Sequence, residues 1–457
     1  MRAHPSERRE PITIVGAGLA GTLLATLLAR RGHEVRIFER LPDMRSSTIP
    51  AGRSINLALA ARGIRALELA GVMDRVTPLL IPMPGRMLHA VDGALTFVAY
   101  GQGAHEVIYS VSRPELNRIL IDAAERAGVQ MRFRTAAVGA EIRHRTLVLR
   151  DEVSGRLEEI PLQRVIAADG AGSVVRRALV SELDVPSSEE LLRHGYKELR
   201  LPPGAGGAHQ IDKHALHVWP RGGFMLIALP NLDGSFTVTL FLPHHGEESF
   251  ASLTDAARVT QFFRRYFPDV CGLLPGLTDE FLQHPTGIMG TVRCERWSIE
   301  DQLLLIGDAA HAITPFHGQG MNCAFEDCRE LVALLGSATD FSSTFRRFEQ
   351  ERRPHTNAIA DMAIENYLEM RDTVRDPQFH LQRALSLELE RRFPKRFVPR
   401  YSMVMFHDEI PYAVAMERGR IQNKILAQLT RNVSTLATVD FQAAQRMIDE
   451  RLPPIGQ

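Results

Sequence analysis

Residues 11–29, PITIVGAGLAGTLLATLLA, carry no charge yet are interrupted by Gly16, Gly18 and Gly21. Length and apolarity alone would suit a membrane span or signal peptide. The spacing argues otherwise: a β-branched run at Ile12–Val15, glycines in GxGxxG order and an Ala/Leu-rich stretch describe a buried strand, a tight turn and a helix. The first two glycines let backbone N–H groups approach a diphosphate, Gly21 lets the helix pack on the strand, and the helix N-terminus faces the anion. A second apolar strand, Val35–Phe38, ends in Glu39, placed to accept the hydroxyls of an adenosine ribose. Strand, loop, helix, strand and acid in this order specify a parallel α/β nucleotide-binding unit.

Two later segments decide which dinucleotide is held. In RVIAADGAGSVVR (164–176) a strand delivers Asp169 and Gly170 into a turn, with Ser173 and Arg176 on the next helix. In LLLIGDAAHAITPFHGQGMN (303–322) a strand ends at Gly307 and Asp308, and a loop then opens a helix near Gly320. An acid at a strand end can bond the ribityl chain of FAD, and a helix N-terminus can stabilise negative charge on a reduced isoalloxazine. NAD has no ribityl chain, so FAD is the expected cofactor. A single GxGxxG marks one dinucleotide-binding unit of this kind.

The 457 residues are 45% apolar, with 54 basic and 54 acidic side chains, so no overall field steers the chain to nucleic acid. Its four cysteines form no CxxC pair and no metal-ligand spacing, so no metal is expected and a reducing, cytoplasmic setting is. Residues 215–242 alternate as antiparallel strands around Asp233-Gly234. Phe236, Val238, Leu240 and Leu242 share one face and Thr237, Thr239 and Phe241 the other, while Met225, Ile227 and Leu229 share a parity on the preceding strand. Such a face can roof an aromatic site.

The fingerprints GxGxxG, DGxxSxVR and GDAAH, in this order, resemble those of the class A FAD-dependent aromatic hydroxylases. GRSINLAL (52–59), PGRM (84–87), HGYKEL (194–199), ALPNLDGSFTVTLF (228–241), PFHGQGMNCAFED (315–327), ENYLEM (365–370) and RYSMV (400–404) narrow the resemblance to the kynurenine 3-monooxygenase family over nearly the whole chain. The resemblance implies hydroxylation of L-kynurenine to 3-hydroxy-L-kynurenine by NADPH and O2 through a flavin C4a-hydroperoxide. It implies that Arg86 clamps the substrate carboxylate, helped by Tyr100, Asn366 and Tyr401, and that Phe241, Met225, Ile227 and Leu229 pack on the ring. Pro315, Phe316, His317, Gly318 and Gln319 would close over flavin and substrate. The implied FAD set is Gly16, Gly18, Ala20, Gly21, Phe38, Glu39, Arg40, Leu41 and Ala58, with Arg113 on the nucleotide, Ala137, Asp169, Asp308 on the ribityl chain, and Met321 and Asn322 on the ring.

A guanidinium with two phenols suits a carboxylate independently of the family. An aryl amine already enriches its ortho carbon in electrons, so no strong base is obligatory, and His317 reads equally as a loop residue packed near the flavin. His244 and His245 with Glu247 and Glu248 read as a solvated loop rather than a metal site. Two alternatives stay open: a hydroxylase of another aminoaryl or phenolic acid, and a flavin-fold reductase or binding protein without oxygen chemistry. The expected layout is an α/β FAD domain (1–75, 105–185, 290–345), an inserted antiparallel-sheet domain (76–104, 186–289) and a helical C-terminal region (346–457) broken at Pro377, Pro394, Pro399 and Pro411. Arg391, Arg392, Lys395, Arg396 and Arg400 read as a solvated, partly packed face. No membrane span is expected, and a homodimer is left open.

Overall fold

A computed structural model describes residues 11–46, 56–103, 105–336, 340–372 and 377–455. Gly52 to Ile55 of the GRSINLAL match lie outside them. Ile12–Val15 is buried at every position, as a strand covered on both faces must be. It is central in a six-stranded sheet ordered 298–299, 303–305, 165–167, 12–15, 35–38 and 130–132, parallel throughout except for the Ser298–Ile299 edge. Four adjacent strands therefore end side by side, and their carboxyl ends carry Gly307-Asp308, Asp169, the GxGxxG turn and Glu39. This is where an open parallel sheet binds ligands.

The glycines of the turn differ in what requires them. Gly16 has φ +101°, and a Cβ there would lie 2.6 Å from the Ala168 carbonyl oxygen; at Gly21 it would lie 2.0 Å from the Gly16 oxygen. At Gly18 a Cβ would meet no atom within 4 Å.

A seven-stranded sheet runs 287–294, 187–201, 236–243, 225–230, 216–220, 85–89 and 95–99, antiparallel except where Gly85–His89 joins Leu216–Pro220. Strand alternation divides its faces. Leu226, Ala228, Phe236, Val238, Leu240 and Leu242 pack outward onto the helices Ala256–Tyr266 and Leu277–Gln283, whereas Met225 and Phe241, paired across the strands, join Val218, Phe316 and Tyr367 on the inner side. Ile81–Met83 does not enter this sheet. It pairs with Ile108–Ser112, as does Asn56–Leu59. A further antiparallel sheet forms from Thr135–Glu141, Thr146–Asp151 and Leu157–Pro161.

The C-terminal helices are Phe341–Asp372, Pro377–Arg392, Arg400–Met405, Tyr412–Thr430 and Phe441–Arg451. Three of the four expected breaks prove to be starts: Pro377 opens a helix, and Pro399 and Pro411 stand at the N-caps, where a missing N–H costs nothing. Pro354 lies inside the first helix. The basic cluster is largely paired within the fold, Arg391 and Arg392 with Glu388, Arg396 with Asp449 and Arg400 with Glu365. Among the described residues no helix is long and apolar enough to cross a membrane.

Candidate active site

The strand ends bring together the residues expected to hold a flavin dinucleotide. Glu39 is held in place by backbone donors, Ala17 N–H at 2.7 Å to Oε2 and Leu41 N–H at 2.9 Å to Oε1. Each oxygen keeps a lone pair for a ribose hydroxyl. Asp308 opens the turn Asp308–His311 and is exposed among buried neighbours, with no partner among the described residues. Asp169 bonds the Val174 N–H through Oδ2 at 2.9 Å, whereas its buried Oδ1 is unpartnered. Burial pushes its carboxyl above the usual range despite the bond to Ser173. The unpartnered buried Asp169 oxygen calls for a polar partner, and the exposed Asp308 carboxylate and the open space beside Gly18 leave room for one.

The other residues of the fingerprints hold these strand ends together. Ser173 caps the helix Val174–Leu183, and buried Arg176 donates to the carbonyls of Ala309 (2.9 Å) and Ala171 (2.5 Å) and to Glu189 (2.7 Å), tying the second fingerprint to the third and to the seven-stranded sheet. Ala20 lies against Gly307. Asn117 donates to the Ala17 carbonyl at 3.2 Å, and Arg113, one helical turn earlier on the same face, is exposed. Asn322 bridges the Ala58 and Gly318 carbonyls (2.8 and 2.9 Å) and accepts from Ala60 N–H. Its side chain is thus spent inside the protein, beside buried Met321 at the N-terminus of Gly320–Gly336. Phe38 is buried with Arg132 over its ring, Arg40 and Leu41 are exposed, and half-buried Ala137 lies in the sheet beside Leu149.

Arg86 stands on the inner face at the strand pair Arg86/Leu216. Its guanidinium lies 5.4 Å from the Tyr100 ring and 5.0 Å from the Tyr401 ring, and those rings stack at 5.2 Å. Burial opposes its charge, but the phenols of Tyr401 and Tyr100 and the Glu369 carboxylate outweigh it and keep it protonated. Burial likewise pushes the Tyr100 phenol well up, so it is neutral. His317 stacks on Tyr401 at 5.4 Å, and burial, then Arg400, lowers it to about 3. Arg86 Nε, the Tyr100 hydroxyl and His317 Nδ1 are all buried without a hydrogen-bond partner.

Beside this polar group lies an apolar wall. Phe316 stacks on Tyr367 at 4.0 Å and meets Phe241 at 5.1 Å, with Met225, Met370 and Ile227 against them. Leu229 belongs to a neighbouring cluster with Tyr100 and Met83. Asn366 is buried, and its amide donates to the Phe316 carbonyl at 2.7 Å, tethering the loop 315–319. Gln319, fully buried, accepts from the Tyr412 hydroxyl at 2.7 Å. Sequence reading did not pick out Tyr367 and Met370, although Met370 shares a helical face with Asn366, nor Val218, whose place follows from the parity of ALHVW.

One arrangement departs from the cysteine spacing. His311, Cys323 and Asp327 place their ligand atoms within 4.8 Å of one another. A cation already sits there: Arg352 donates to Asp327 at 2.9 Å and reaches the Cys323 sulfur at 3.8 Å. Burial keeps that thiol protonated, which makes it a poor metal ligand.

Residues 9–363 match the family described as FAD binding domain. The chain is 45% identical over 448 residues to kynurenine 3-monooxygenase of Myxococcus xanthus (98% of this chain, 96% of the relative) and 45% identical over 455 residues to that of Stenotrophomonas maltophilia (99% of each). Among solved structures it is similar to 2-methyl-3-hydroxypyridine-5-carboxylic acid oxygenase (TM-score 0.64, 20% identity, covering 79% of this chain and 93% of that one). It is also similar to Pseudomonas aeruginosa PqsL in complex with 2-aminobenzoylacetate (TM-score 0.64, 22% identity, covering 80% and 97%). At these identities the two structures bear on the fold alone.

Proposed function

This chain belongs to the kynurenine 3-monooxygenase family of FAD-dependent monooxygenases, and from that premise we propose how its residues perform the reaction. The reaction is hydroxylation of L-kynurenine to 3-hydroxy-L-kynurenine with NADPH and O2. FAD, when bound, supplies the redox and oxygen-transfer chemistry; the protein supplies position, charge and dryness. Glu39 holds the adenosine ribose, Arg113 the nucleotide phosphates and Asp308 the ribityl chain. The backbone at Met321 and Asn322, at a helix N-terminus, faces the ring system. Residues 11–75, 105–185 and 290–345 make up this cofactor unit, joined by Ile81–Met83, which pairs with Ile108–Ser112; residues 85–99 and 186–289 form the substrate unit, and the helices from residue 346 onward the helical region.

One observation carries the substrate reading. Three buried polar atoms without partners, Arg86 Nε, the Tyr100 hydroxyl and His317 Nδ1, adjoin a wall of Phe241, Phe316, Met225 and Ile227. An amino acid with an aromatic side chain has matching polarity. Its carboxylate lies on Arg86 beside Tyr100 and Tyr401, and its ring lies on the apolar wall. The weakly basic His317 favours an aryl amine over a phenol. Activating a phenol requires taking its proton, and a group titrating at about 3 is a poor base for one near pKa 10. Asn366 acts through the loop, holding Phe316 over the ring.

The test is NADPH oxidation with and without kynurenine, with the product identified by mass. Kynurenine should accelerate oxidation and gain one oxygen atom. No hydroxylated kynurenine would refute the reading, and turnover of simple phenolic acids in its place would establish the other substrate class.

A further inference from the structure

We infer that Tyr412, some ninety residues beyond the loop in sequence, is a positioning residue that keeps the loop 315–319 closed, so that oxygen reaches kynurenine rather than water. The inference rests on the reaction assigned above. Gln319 is fully buried, and both ends of its amide are used: Oε1 accepts from the Tyr412 hydroxyl at 2.7 Å, and Nε2 donates to Met405 Sδ at 3.0 Å. No other hydrogen bond joins the side chains of this loop to the C-terminal helices among the described residues. At the loop's other end the tether is Asn366 on the Phe316 carbonyl.

Tyr412 is itself fixed by charge. The Arg62 guanidinium sits 4.0 Å from its ring centroid, and Arg62 is wholly buried, bonded to Glu326 and to the Ile410 carbonyl. Glu326 accepts Arg352 at 2.8 Å, Arg352 donates to Asp327 at 2.9 Å, and Asp327 accepts His311 at 2.6 Å and the Gly307 N–H at 3.2 Å. Two buried arginines and two buried carboxylates, with Arg329 also 3.6 Å from Glu326, are linked in series in a dry interior, so each charge is held by its neighbours. This chain of contacts starts at the turn bearing Asp308 and ends on the loop 315–319 at Gln319. The hydroxyl of Tyr412 is its last link, and removing that oxygen cuts the link while leaving the cation over the ring.

The chemistry gives the link a readout. Coupled turnover converts NADPH, H+, O2 and kynurenine to NADP+, water and 3-hydroxykynurenine, whereas uncoupled turnover converts NADPH, H+ and O2 to NADP+ and H2O2. A loop that opens more often admits water and shifts the ratio to peroxide. Tyr412→Phe should raise peroxide per hydroxylated product about tenfold, the order expected from one unpaired buried acceptor, with FAD content and melting temperature near wild type. Hydrogen exchange of amides 316–323, measured on the same protein, should quicken about tenfold. Gln319→Leu should act alike, and the double variant should be no worse than the more affected single one, because both remove the same bond. Unchanged exchange, unchanged coupling or additive effects would each overturn the inference. Quickened exchange in a protein whose wild-type form does not hydroxylate kynurenine would instead refute the assigned substrate and leave the tether standing.

Discussion

Replacing Arg86 with methionine separates what that residue does for substrate from what it does for the fold. In the free protein the guanidinium is buried beside the stacked rings of Tyr100 and Tyr401, with Nε lacking an acceptor, an arrangement that costs about 1–3 kcal/mol. With substrate, a buried carboxylate pairs with it, and truncating one partner of such a pair costs about 2–5 kcal/mol. Taking about 3 kcal/mol, kcat/KM for kynurenine should fall roughly 150-fold, nearly all of it in KM. Methionine fills a similar volume without opening a cavity, so the melting temperature should hold or rise, and FAD should stay bound. The decisive assay compares kynurenine with its decarboxylated analogue. Wild type should prefer kynurenine by about two orders of magnitude, and Arg86→Met should treat the two almost alike. A variant that keeps the preference would show that the carboxylate is bound elsewhere, and a sharply lowered melting temperature would show that Arg86 serves the core.

The glycines of the first turn should divide by cause: Gly21→Ala, whose Cβ would lie 2.0 Å from a carbonyl oxygen, should impair folding, whereas Gly18→Ala, with nothing within 4 Å, should leave the melting temperature of the FAD-free protein intact yet weaken FAD retention on a desalting column. Full retention by Gly18→Ala would remove the diphosphate from that spot. His317, buried and lowered to about 3, is taken up neutral on folding. The unfolded chain binds the extra proton between pH 6.5 and 3, so the stability this residue contributes is complete above about 6.5 and declines as pH falls. At pH 5 the loss is about 2 kcal/mol, and denaturant titrations at pH 7.5 and 5.0 should show wild type losing that much more than His317→Gln. Equal losses would mean that the imidazole is solvated.

What could be read from the linear chain was whatever a local rule determines. Glu39, Asp169 and Asp308 stand at the ends of short apolar strands, and a parallel sheet places such ends side by side, so spacing alone located them. Strand parity likewise separated Phe241 from Leu240. Contacts between distant segments were not legible in this way. Arg62 and Glu326, 264 positions apart, are buried together only by tertiary packing, and no local rule pairs them. Asn366 entered only through the resemblance, and its bond to the Phe316 carbonyl, 50 positions away, follows from no local rule. The prolines were expected to break the helical region, and three of them do so as helix starts, because a fixed φ and a missing N–H suit the first turn.

The two faces of the seven-stranded sheet have a consequence for variation. Adjacent positions on one strand answer to different constraints: Leu226, Ala228 and Leu240 to the helices outside, Met225, Ile227 and Phe241 to whatever ring lies inside. A substitution at an inner position can reshape the ring pocket without disturbing the outer packing, and an outer substitution can erode stability without altering selectivity. Such a sheet can change its substrate one alternate residue at a time while the neighbouring residues keep it folded.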